Sequence, residues 1–469
     1  MLRTHKVSEL NEKLIGKDVE ICGWIEVIRE HGKLIFFELR DRYGVVQCVI
    51  SKKNSKFNDF KKLTKESCVQ IKGKINQRPK GTENKNISTG KVELSVEDFE
   101  IFNLCPGLPF ELNEKNINED LRLKYRFLDL RSKRMQKNIL TRSKILKYVR
   151  DYFYENNFVE IETPVLAKST PEGARDYVVP SRNFKGKFYA LPQSPQLFKQ
   201  LSQVAGFDRY IQMAKCFRDE DLRSDRQPEF TQVDVEMSFI EVDDIISIIE
   251  GLLKKLFKEI LNIQIKTPFK RISYEEAMKK YKTDRPDLRG ETGFDKDYAF
   301  CWVVDFPLFE YDKQDKKYKS MHHPFTMPNL KDFKKDKHSA RSLAYDVVLN
   351  GVEIGGGSIR IHNSEIQEKV FDVLGISKKQ AQEKFGFLLE ALSYGAPPHG
   401  GIALGFDRLC QIILNEDSIR ETITFPKNKE AKDVMLDAPS TISSRQLKEV
   451  GIELVEEKKK SSKKTKHKK

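Results

Sequence analysis

The sequence lacks clustered cysteines and long apolar runs. Its seven cysteines stand far apart, with no Cys-x-x-Cys pair, which argues against a zinc knuckle and against a disulfide framework. No uncharged apolar segment is long enough to span a bilayer, and residues 1–6 contain no apolar signal region. These absences exclude membrane-spanning and disulfide-rich secreted classes, and the expected location is the cytoplasm.

Positive charge is in excess, with a formal net charge of +14. Eight of the lysines fall in residues 458–469, so the remainder carries only about +6 by the same count. A basic chain of this kind is expected to have a polyanionic partner. The 469 residues, 39% of them apolar, are enough for two or three domains.

Residues 209–239 predict a hairpin with one polar face. In its second half, apolar and polar residues alternate with period two, which is typical of a strand. One face is mainly polar and consists of Phe230, Gln232, Asp234, Glu236 and Ser238. Three arginines stand at the strand–loop junction: Arg218, Arg223 and Arg226. Guanidinium groups match phosphate oxygens bidentately. The pattern indicates either a polyanion cleft or an ordinary salt-bridged hairpin.

Residues 18–103 are expected to form five strands with one helix between the third and fourth. The strands are predicted near 18–29, 34–42, 45–50, 68–77 and 91–103, and the helix near 57–63. This order is typical of an OB-type barrel, a common binder of single-stranded nucleic acid. Phe36 and Phe37 would lie on opposite faces. One aromatic row can fill the barrel and leave Phe36 as a stacking platform, although most strand aromatics belong to a core.

The rest of the chain mixes helices with strands. Helical spacing begins at Gln136 and is expected to end at Asn156-Asn157. Asn350-Gly351 predicts a hairpin turn, and glycines 355–357 would allow a bulge that brings Glu353 and Arg360 to one face. A glycine-rich strand then leads into Arg408, which suits a ligand phosphate at a helix start.

Three of these segments resemble motifs 1, 2 and 3 of class II aminoacyl-tRNA synthetases: the helix–strand unit ending at Pro164, Arg218-Asp219-Glu220, and Gly405-Phe406-Asp407-Arg408. Other segments are similar to the bacterial-type aspartyl-tRNA synthetases: residues 170–176, 193–199, 217–223 and 322–325. The resemblance extends over about residues 1–440 and is highly specific.

The resemblance implies an α+β architecture and a homodimer. An OB-fold anticodon-binding domain would occupy residues 1–104, a linker 105–133, and a class II catalytic domain 134–445. The catalytic domain would be built on an antiparallel sheet flanked by helices. Residues 446–469 would form a C-terminal segment with a disordered lysine-rich tail.

The resemblance also implies the chemistry of adenylation with ATP and Mg²⁺. Arg218 would stabilise the charge on the α-phosphate, and Arg408 would hold the γ-phosphate. The implied ATP-binding set is Arg218, Asp219, Glu220, Gln227, Glu353, Gly405, Phe406, Asp407 and Arg408. Asp346 and Glu353 would bind the metal through hard carboxylate oxygens.

The implied amino acid is L-aspartate. The family pattern puts Lys199 and Arg360 on its side-chain carboxylate, an arrangement that rejects an uncharged amide. Glu172, Gln196 and Asp234 would receive the α-ammonium group, and His322 would lie over the substrate.

The implied RNA partners are tRNA(Asp) and tRNA(Asn). Arg29, Phe36 and Gln47 match positions that contact the anticodon. His31 and Gly81 resemble the subgroup that charges both tRNAs, and such enzymes usually work beside an amidotransferase. An enzyme restricted to tRNA(Asp) remains the alternative.

One departure from the family is large. Bacterial members carry an inserted domain after Arg-Pro-Asp-Leu-Arg, but here Arg289 is followed by only residues 290–301 before Trp302. No catalytic motif is affected, so activity is expected to survive. The lysine-rich tail is an addition, and our hypothesis is that it contributes non-specific affinity for tRNA.

Two rival interpretations remain. An asparaginyl- or lysyl-type synthetase of the same class would not place two cations, Lys199 and Arg360, at the substrate side chain. A non-catalytic RNA-binding relative would be expected to have lost at least one of Arg218, Glu353 and Arg408.

Overall fold

The computed structural model describes residues 1–170 and 173–455, and the chain divides into two compact units, Met1–Asn116 and Ile117–Lys469. The predicted domain limits at 104, 133 and 445 remain predictions. No helix in the described ranges is long and apolar enough to cross a membrane.

The first unit is a closed five-stranded barrel with strand order β1-β2-β3-β5-β4, as the sequence predicts. Its elements are β1 (Asp18–His31), β2 (Leu34–Asp41), β3 (Gly44–Ser51), α1 (Phe57–Phe60), β4 (Cys68–Gln77) and β5 (Val92–Asn103). Strict alternation along β2 puts Phe37 inside, only 2% exposed, and Phe36 on the half-buried outer face. Phe37 packs against Phe60 of α1 at a ring distance of 4.5 Å, so α1 belongs to the barrel core.

The second unit begins with helices and short strands. They are α2 (Glu119–Lys124), α3 (Arg126–Asp129), α4 (Lys133–Glu155), β6 (Val159–Glu160), β7 (Val178–Pro180), β8 (Phe188–Ala190) and α5 (Gln196–Val204). The N-cap of helix α4 is Ser132, whose hydroxyl oxygen accepts from the Met135 amide at 3.3 Å. It ends at Asn156, and Asn157 takes a left-handed φ of 63°, so the predicted stop is confirmed.

The middle of the unit contains the predicted hairpin. Its elements are β9 (Arg209–Phe217), β10 (Glu229–Ser238), α6 (Val242–Leu261), β11 (Lys270–Ser273), α7 (Tyr274–Tyr281), β12 (Phe300–Val304), β13 (Phe309–Asp312), β14 (Lys317–Ser320) and α8 (Leu330–Lys335). The remaining elements are β15 (Ala344–Leu349), β16 (Val352–Ile359), α9 (Ser364–Val373), α10 (Lys378–Ser393), β17 (His399–Gly405), α11 (Phe406–Leu414) and α12 (Ser444–Val450).

One eight-stranded sheet organises this unit, in the order β11-β12-β15-β16-β17-β10-β9-β6. The six strands from β12 to β9 pair antiparallel, as predicted, and the edge pairs β11/β12 and β6/β9 are parallel. Val233 and Val235 point to a core that includes α4 and α6 residues. The opposite face of the sheet is therefore left for the polar side chains.

The β15–β16 hairpin turns at Asn350 and Gly351, both with positive φ, as the sequence predicts. Its register shifts because Val347 pairs with Gly355 while Val348 pairs with Glu353. The extra residue is Ile354, so the expected bulge lies just before the glycines rather than within them. It lets the strand carry Glu353 and Arg360 on the cleft side.

Candidate active site

The cleft floor is the polar face of β10. Asp234 and Glu236 are fully buried and lie opposite Ala403 and Gly401 of β17. A Cβ at Gly401 would lie 2.0 Å from Glu236 Oε2, so no larger residue fits opposite this carboxylate. The glycine-rich strand therefore makes room for acidic side chains.

Two buried cations meet Glu236 at one end of the cleft. Arg360 Nε and Nη2 donate to the two Glu236 oxygens at 3.0 and 3.2 Å. Lys199 Nζ lies 2.7 Å from Asp234 Oδ1 and 3.3 Å from Glu236 Oε2. The four side chains are at most 4% exposed. This end of the cleft is a dry cluster of alternating charge.

The two carboxyl groups respond differently to this environment. Burial raises the pKa of Asp234, and Lys199 opposes that shift without cancelling it. Burial also acts on Glu236, but the charges of Arg360 and Lys199 prevail and lower its pKa. Asp234 Oδ2 and Gln196 Nε2 are buried without a hydrogen-bond partner among the described residues. These two atoms are therefore available to a polar ligand.

The other end of the cleft carries the arginines of the β9–β10 hairpin. This part of the cleft has a cavity volume of about 210 Å³, and its lining includes Arg218, Glu220, Arg226, Phe230 and Arg408. The Arg218 guanidinium lies 5.1 Å from the centre of the Phe230 ring. Glu220 accepts from Arg226 Nη1 at 3.1 Å. A planar aromatic face beside guanidinium groups suits a nucleotide.

Several predicted ATP-binding residues make internal contacts. Gln227 is 2% exposed and exchanges hydrogen bonds with the Lys427 backbone at 3.1 and 2.8 Å. Asp407 accepts from the Thr231 amide at 2.8 Å and pairs with Arg142. The hydrogen bond between Asp407 and Thr231 joins α11 to β10. Phe406 lies in the core.

Arg408 lies between β16 and the hairpin loop. Its Nη1 donates to the Glu353 carbonyl, and its Nη2 lies 3.1 Å from Asp225 Oδ2. Asp219 lies nearer the surface, where its amide donates to the Arg175 carbonyl at 3.0 Å. Glu172, predicted to bind the ammonium group, lies outside the described residues.

Asp346 and Glu353 lie on either side of Gly356. A Cβ at Gly356 would be 2.4 Å from Asp346 Oδ1 and 3.7 Å from Glu353 Oε1. Burial and the charge of Asp346 raise the pKa of Glu353, and the opposing charges of Arg408 and His322 do not cancel that shift. Within the described ranges no three His, Cys, Asp or Glu side chains form a complete metal site. The donors fit Mg²⁺, which keeps several waters and shares its coordination with phosphates.

His322 lies beside this carboxylate pair. Its Nε2 is 3.2 Å from Asp346 Oδ1. Burial lowers and the charge of Asp346 raises the pKa of His322, with a net upward shift. The neighbouring His323 is different, because burial lowers its pKa to about 3. The charges of Arg360 and Lys199 also lower the pKa of His323, so both histidines lie near charged groups of the cleft.

The barrel unit carries its own candidate surface. Arg29 and Phe36 are cross-strand partners on β1 and β2, and the ring of His31 lies 6.2 Å from that of Phe36. Gln47 Nε2 donates to Glu93 Oε2 at 2.8 Å. Gly81 has a φ of +88° and open space around it. Phe36 is thus placed outside the core, where a base could stack.

The sequence does not predict the contacts of three polar residues. Glu93 bonds the predicted anticodon residue Gln47, and Asp225 pairs with Arg408. The sequence places Glu236 only on the polar face of the hairpin, but its carboxylate forms ion pairs with both predicted substrate cations. Alternation on β10 was the only signal for Glu236, and nothing in the sequence distinguishes Asp225 from its neighbours.

The chain belongs to the family of class II tRNA synthetases (D, K and N), whose model matches residues 118–429. The OB-fold nucleic acid binding domain matches residues 19–102.

Among curated relatives, the chain is 42% identical to an aspartate–tRNA(Asp/Asn) ligase of Endomicrobium trichonymphae, with 97% of this chain and 100% of the relative covered. It is also 42% identical to the aspartate–tRNA(Asp/Asn) ligase of Thermotoga maritima, with the same coverage. The first alignment spans 583 positions, against 469 residues in this chain. The difference agrees with the loss of an inserted domain.

Solved structures agree on the fold. Asparaginyl-tRNA synthetase of Pyrococcus horikoshii, complexed with asparaginyl-adenylate, superposes with a TM-score of 0.74 at 24% identity, covering 91% of this chain and 98% of the other. A putative aspartyl-tRNA synthetase of Leishmania major gives 0.76 at 21% identity, covering 91% and 94%.

Proposed function

We propose that this protein is an aspartate–tRNA ligase that charges both tRNA(Asp) and tRNA(Asn). The observation that carries the proposal is the pairing of Lys199 and Arg360 around the buried Glu236 carboxylate. Two cations at the closed end of a cleft fit a substrate with a negatively charged side chain. The relatives named above are aspartate–tRNA(Asp/Asn) ligases.

Aspartate would bind with its side-chain carboxylate on Lys199 and Arg360. Its ammonium group would donate to Asp234 Oδ2, which has no partner among the described residues. Gln196 and, by the family resemblance, Glu172 would also receive the ammonium group, and His322 would lie over the substrate. Asparagine would be rejected because its side chain is uncharged and its NH2 group cannot accept a hydrogen bond from either cation.

ATP would occupy the arginine-lined part of the cleft. The aspartate α-carboxylate attacks the α-phosphorus, the bond to the bridging oxygen breaks, and pyrophosphate leaves. Arg218 stabilises the charge on the α-phosphoryl oxygens, and Arg408 binds the γ-phosphate. Asp346 and Glu353 would hold Mg²⁺, which neutralises phosphate charge when bound.

The 3′-terminal hydroxyl of tRNA then attacks the aspartyl carbonyl, and AMP leaves. On the barrel, Phe36 would stack on an anticodon base, while Arg29 and Gln47 would contact its polar groups. Relaxed choice between the two tRNAs rests on His31 and Gly81. A homodimer and a cytoplasmic location complete the proposal.

The test is amino-acid-dependent exchange of pyrophosphate into ATP by the full-length chain. Exchange with aspartate, and at least about a thousandfold less with asparagine or lysine, is the expected result, a difference of roughly 4 kcal/mol. Arg218→Ala should abolish exchange while tRNA binding persists. Asparagine-dependent exchange would establish the asparaginyl-type rival, and no exchange with any amino acid would establish a non-catalytic RNA-binding protein.

A further inference from the structure

A lysine-rich surface lies beside the cleft and has no role in the chemistry described above. It consists of the β13–β14 hairpin, α8 and residues 336–338, and we call it the basic ledge. Eight exposed lysines belong to it: Lys313, Lys316, Lys317, Lys319, Lys331, Lys334, Lys335 and Lys337.

Most of these lysines lack a counter-ion in the described part of the chain. Lys317 and Lys319 pair with Asp312 or Asp315 on the hairpin. Two acidic residues lie near α8. Asp332 is paired with Arg341, and Asp336 accepts from the uncharged Ser339 hydroxyl. The α8 side of the basic ledge therefore keeps a net positive charge, because its lysines outnumber these two carboxylates.

The basic ledge is firmly attached to the strand that carries Arg360. Phe309 of the hairpin and Phe333 of α8 share one buried cluster with Ile359 and Ile361. Across the surface, the Tyr318 ring lies 4.6 Å from the His338 ring and 5.2 Å from Tyr311. Tyr311 itself is 53% exposed. The surface thus combines fixed cations with an exposed row of rings.

The basic ledge lies close to the cleft because a short segment connects strand β14 to a cleft residue. Strand β14 ends at Ser320, and His322, two residues later, contacts Asp346 in the cleft. The four-residue strands of the hairpin extend about 14 Å from that point. An RNA whose 3′ end enters the cleft must place its adjoining helix beside the entrance.

We propose that the basic ledge binds the phosphate backbone of the tRNA acceptor arm. This inference rests on the proposed function and adds a contact surface to it. Lysine contacts are point charges that ignore base sequence, so one surface serves both tRNA(Asp) and tRNA(Asn). Exposed rings among cations favour RNA over an anionic membrane or an acidic protein.

The test removes three charges from the α8 side, with Lys334→Gln, Lys335→Gln and Lys337→Gln in one full-length variant. A matched control removes three charges from and just after α6, which packs on the other face of the sheet, with Lys254→Gln, Lys258→Gln and Lys266→Gln. Binding of three RNAs is measured across a salt series: the full tRNA transcript, an acceptor-stem minihelix and the anticodon stem-loop.

The expected result for the α8 variant is about a tenfold loss of affinity for tRNA and for the minihelix. The plot of log affinity against log salt should become shallower by about 2.7, since each of the three lost duplex phosphate contacts removes about 0.9. Anticodon stem-loop binding and aspartate-dependent pyrophosphate exchange should match the wild type.

An equal loss in the α6 variant, an unchanged salt slope, or a loss confined to the anticodon stem-loop would each overturn the proposal. Failure of the proposed function is seen separately, as absence of aspartate-dependent exchange in the wild-type protein.

Discussion

Asp225 Oδ2 lies 3.1 Å from Arg408 Nη2, so a loop carboxylate occupies the guanidinium proposed to hold the γ-phosphate of ATP. The same guanidinium is anchored from the other side by the Glu353 carbonyl. If Arg408 holds the γ-phosphate as proposed, ATP would displace Asp225, and the loop between β9 and β10 that carries Asp225 would move when the nucleotide binds.

Asp225→Asn should tighten ATP binding about two- to fivefold. The pair is partly exposed, 23% and 31%, and such pairs contribute at most about 1 kcal/mol. Asp221→Asn, an equal charge change on the same loop at the shallow mouth near Arg175 and Asp219, is the matched control. The measurement is the dissociation constant for ATP by calorimetry. Weaker binding in Asp225→Asn would mean that Asp225 helps to hold the nucleotide.

Glu236→Gln should destabilise the protein by roughly 3–5 kcal/mol, because it leaves Lys199 and Arg360 buried without full compensation. Glu229→Gln on the same strand breaks a surface pair with Lys427 and should cost less than about 1 kcal/mol. The measurement is chemical denaturation with and without aspartate.

Saturating aspartate should restore part of the stability lost in Glu236→Gln, because the side chain of the bound aspartate would bring a carboxylate to Lys199 and Arg360. Equal destabilisation by the two variants, or no recovery with aspartate, would contradict the proposed substrate pocket.

MgATP affinity should rise with pH above 4.5, the usual pKa of a glutamate carboxyl group. Burial and Asp346 raise the pKa of Glu353, so the carboxyl holds its proton to a higher pH than usual and must release it to bind metal. The free energy of unfolding changes with pH in the opposite direction. The contribution of protonated Glu353 is full below its unfolded pKa and is lost as pH rises through the folded value.

Titration calorimetry of MgATP at several pH values measures this dependence. Glu353→Gln is the control, with weaker binding and a flatter pH profile. A wild-type affinity that does not change over the same range would show that Glu353 is already ionised and has no part in metal binding.

Phe36→Ala should lower kcat/KM for tRNA about 5- to 150-fold, because one stacked base contributes about 1–3 kcal/mol. Pyrophosphate exchange needs no tRNA and should be unchanged. Tyr43→Ala removes another exposed aromatic ring at the β2–β3 turn and is expected to have little effect. Similar losses in the two variants would indicate a general effect on the barrel rather than stacking on Phe36.

The sequence pattern predicts the strands well because their side chains alternate. It separates Phe36 from Phe37 and puts Asp234 and Glu236 on one face of β10, and the structure agrees. It does not predict the partner of Glu236, since Arg360 lies 124 positions away. The site's charge pairing depends on strand order, which period-two patterns do not encode.

Helices α2 and α3 lie within residues 105–133, the predicted linker. Arg126 is only 2% exposed and donates to the carbonyls of Arg420 and Thr424 at 2.9 Å. A polar residue buried by distant backbone gives no local hydrophobic signal. The position of the bulge at Ile354 also gives no local signal in the sequence, because it depends on pairing with β15 rather than on the glycines themselves.

The most direct test of the account is aspartylation of tRNA(Asp) and tRNA(Asn) transcripts by the full-length chain under one set of conditions. Both tRNAs are expected to be charged with aspartate, with kcat/KM values within about tenfold of each other, or roughly 1.4 kcal/mol. A preference for tRNA(Asp) above about a thousandfold would contradict relaxed specificity and the roles given to His31 and Gly81. Absence of aspartylation of either tRNA would contradict the proposed function itself.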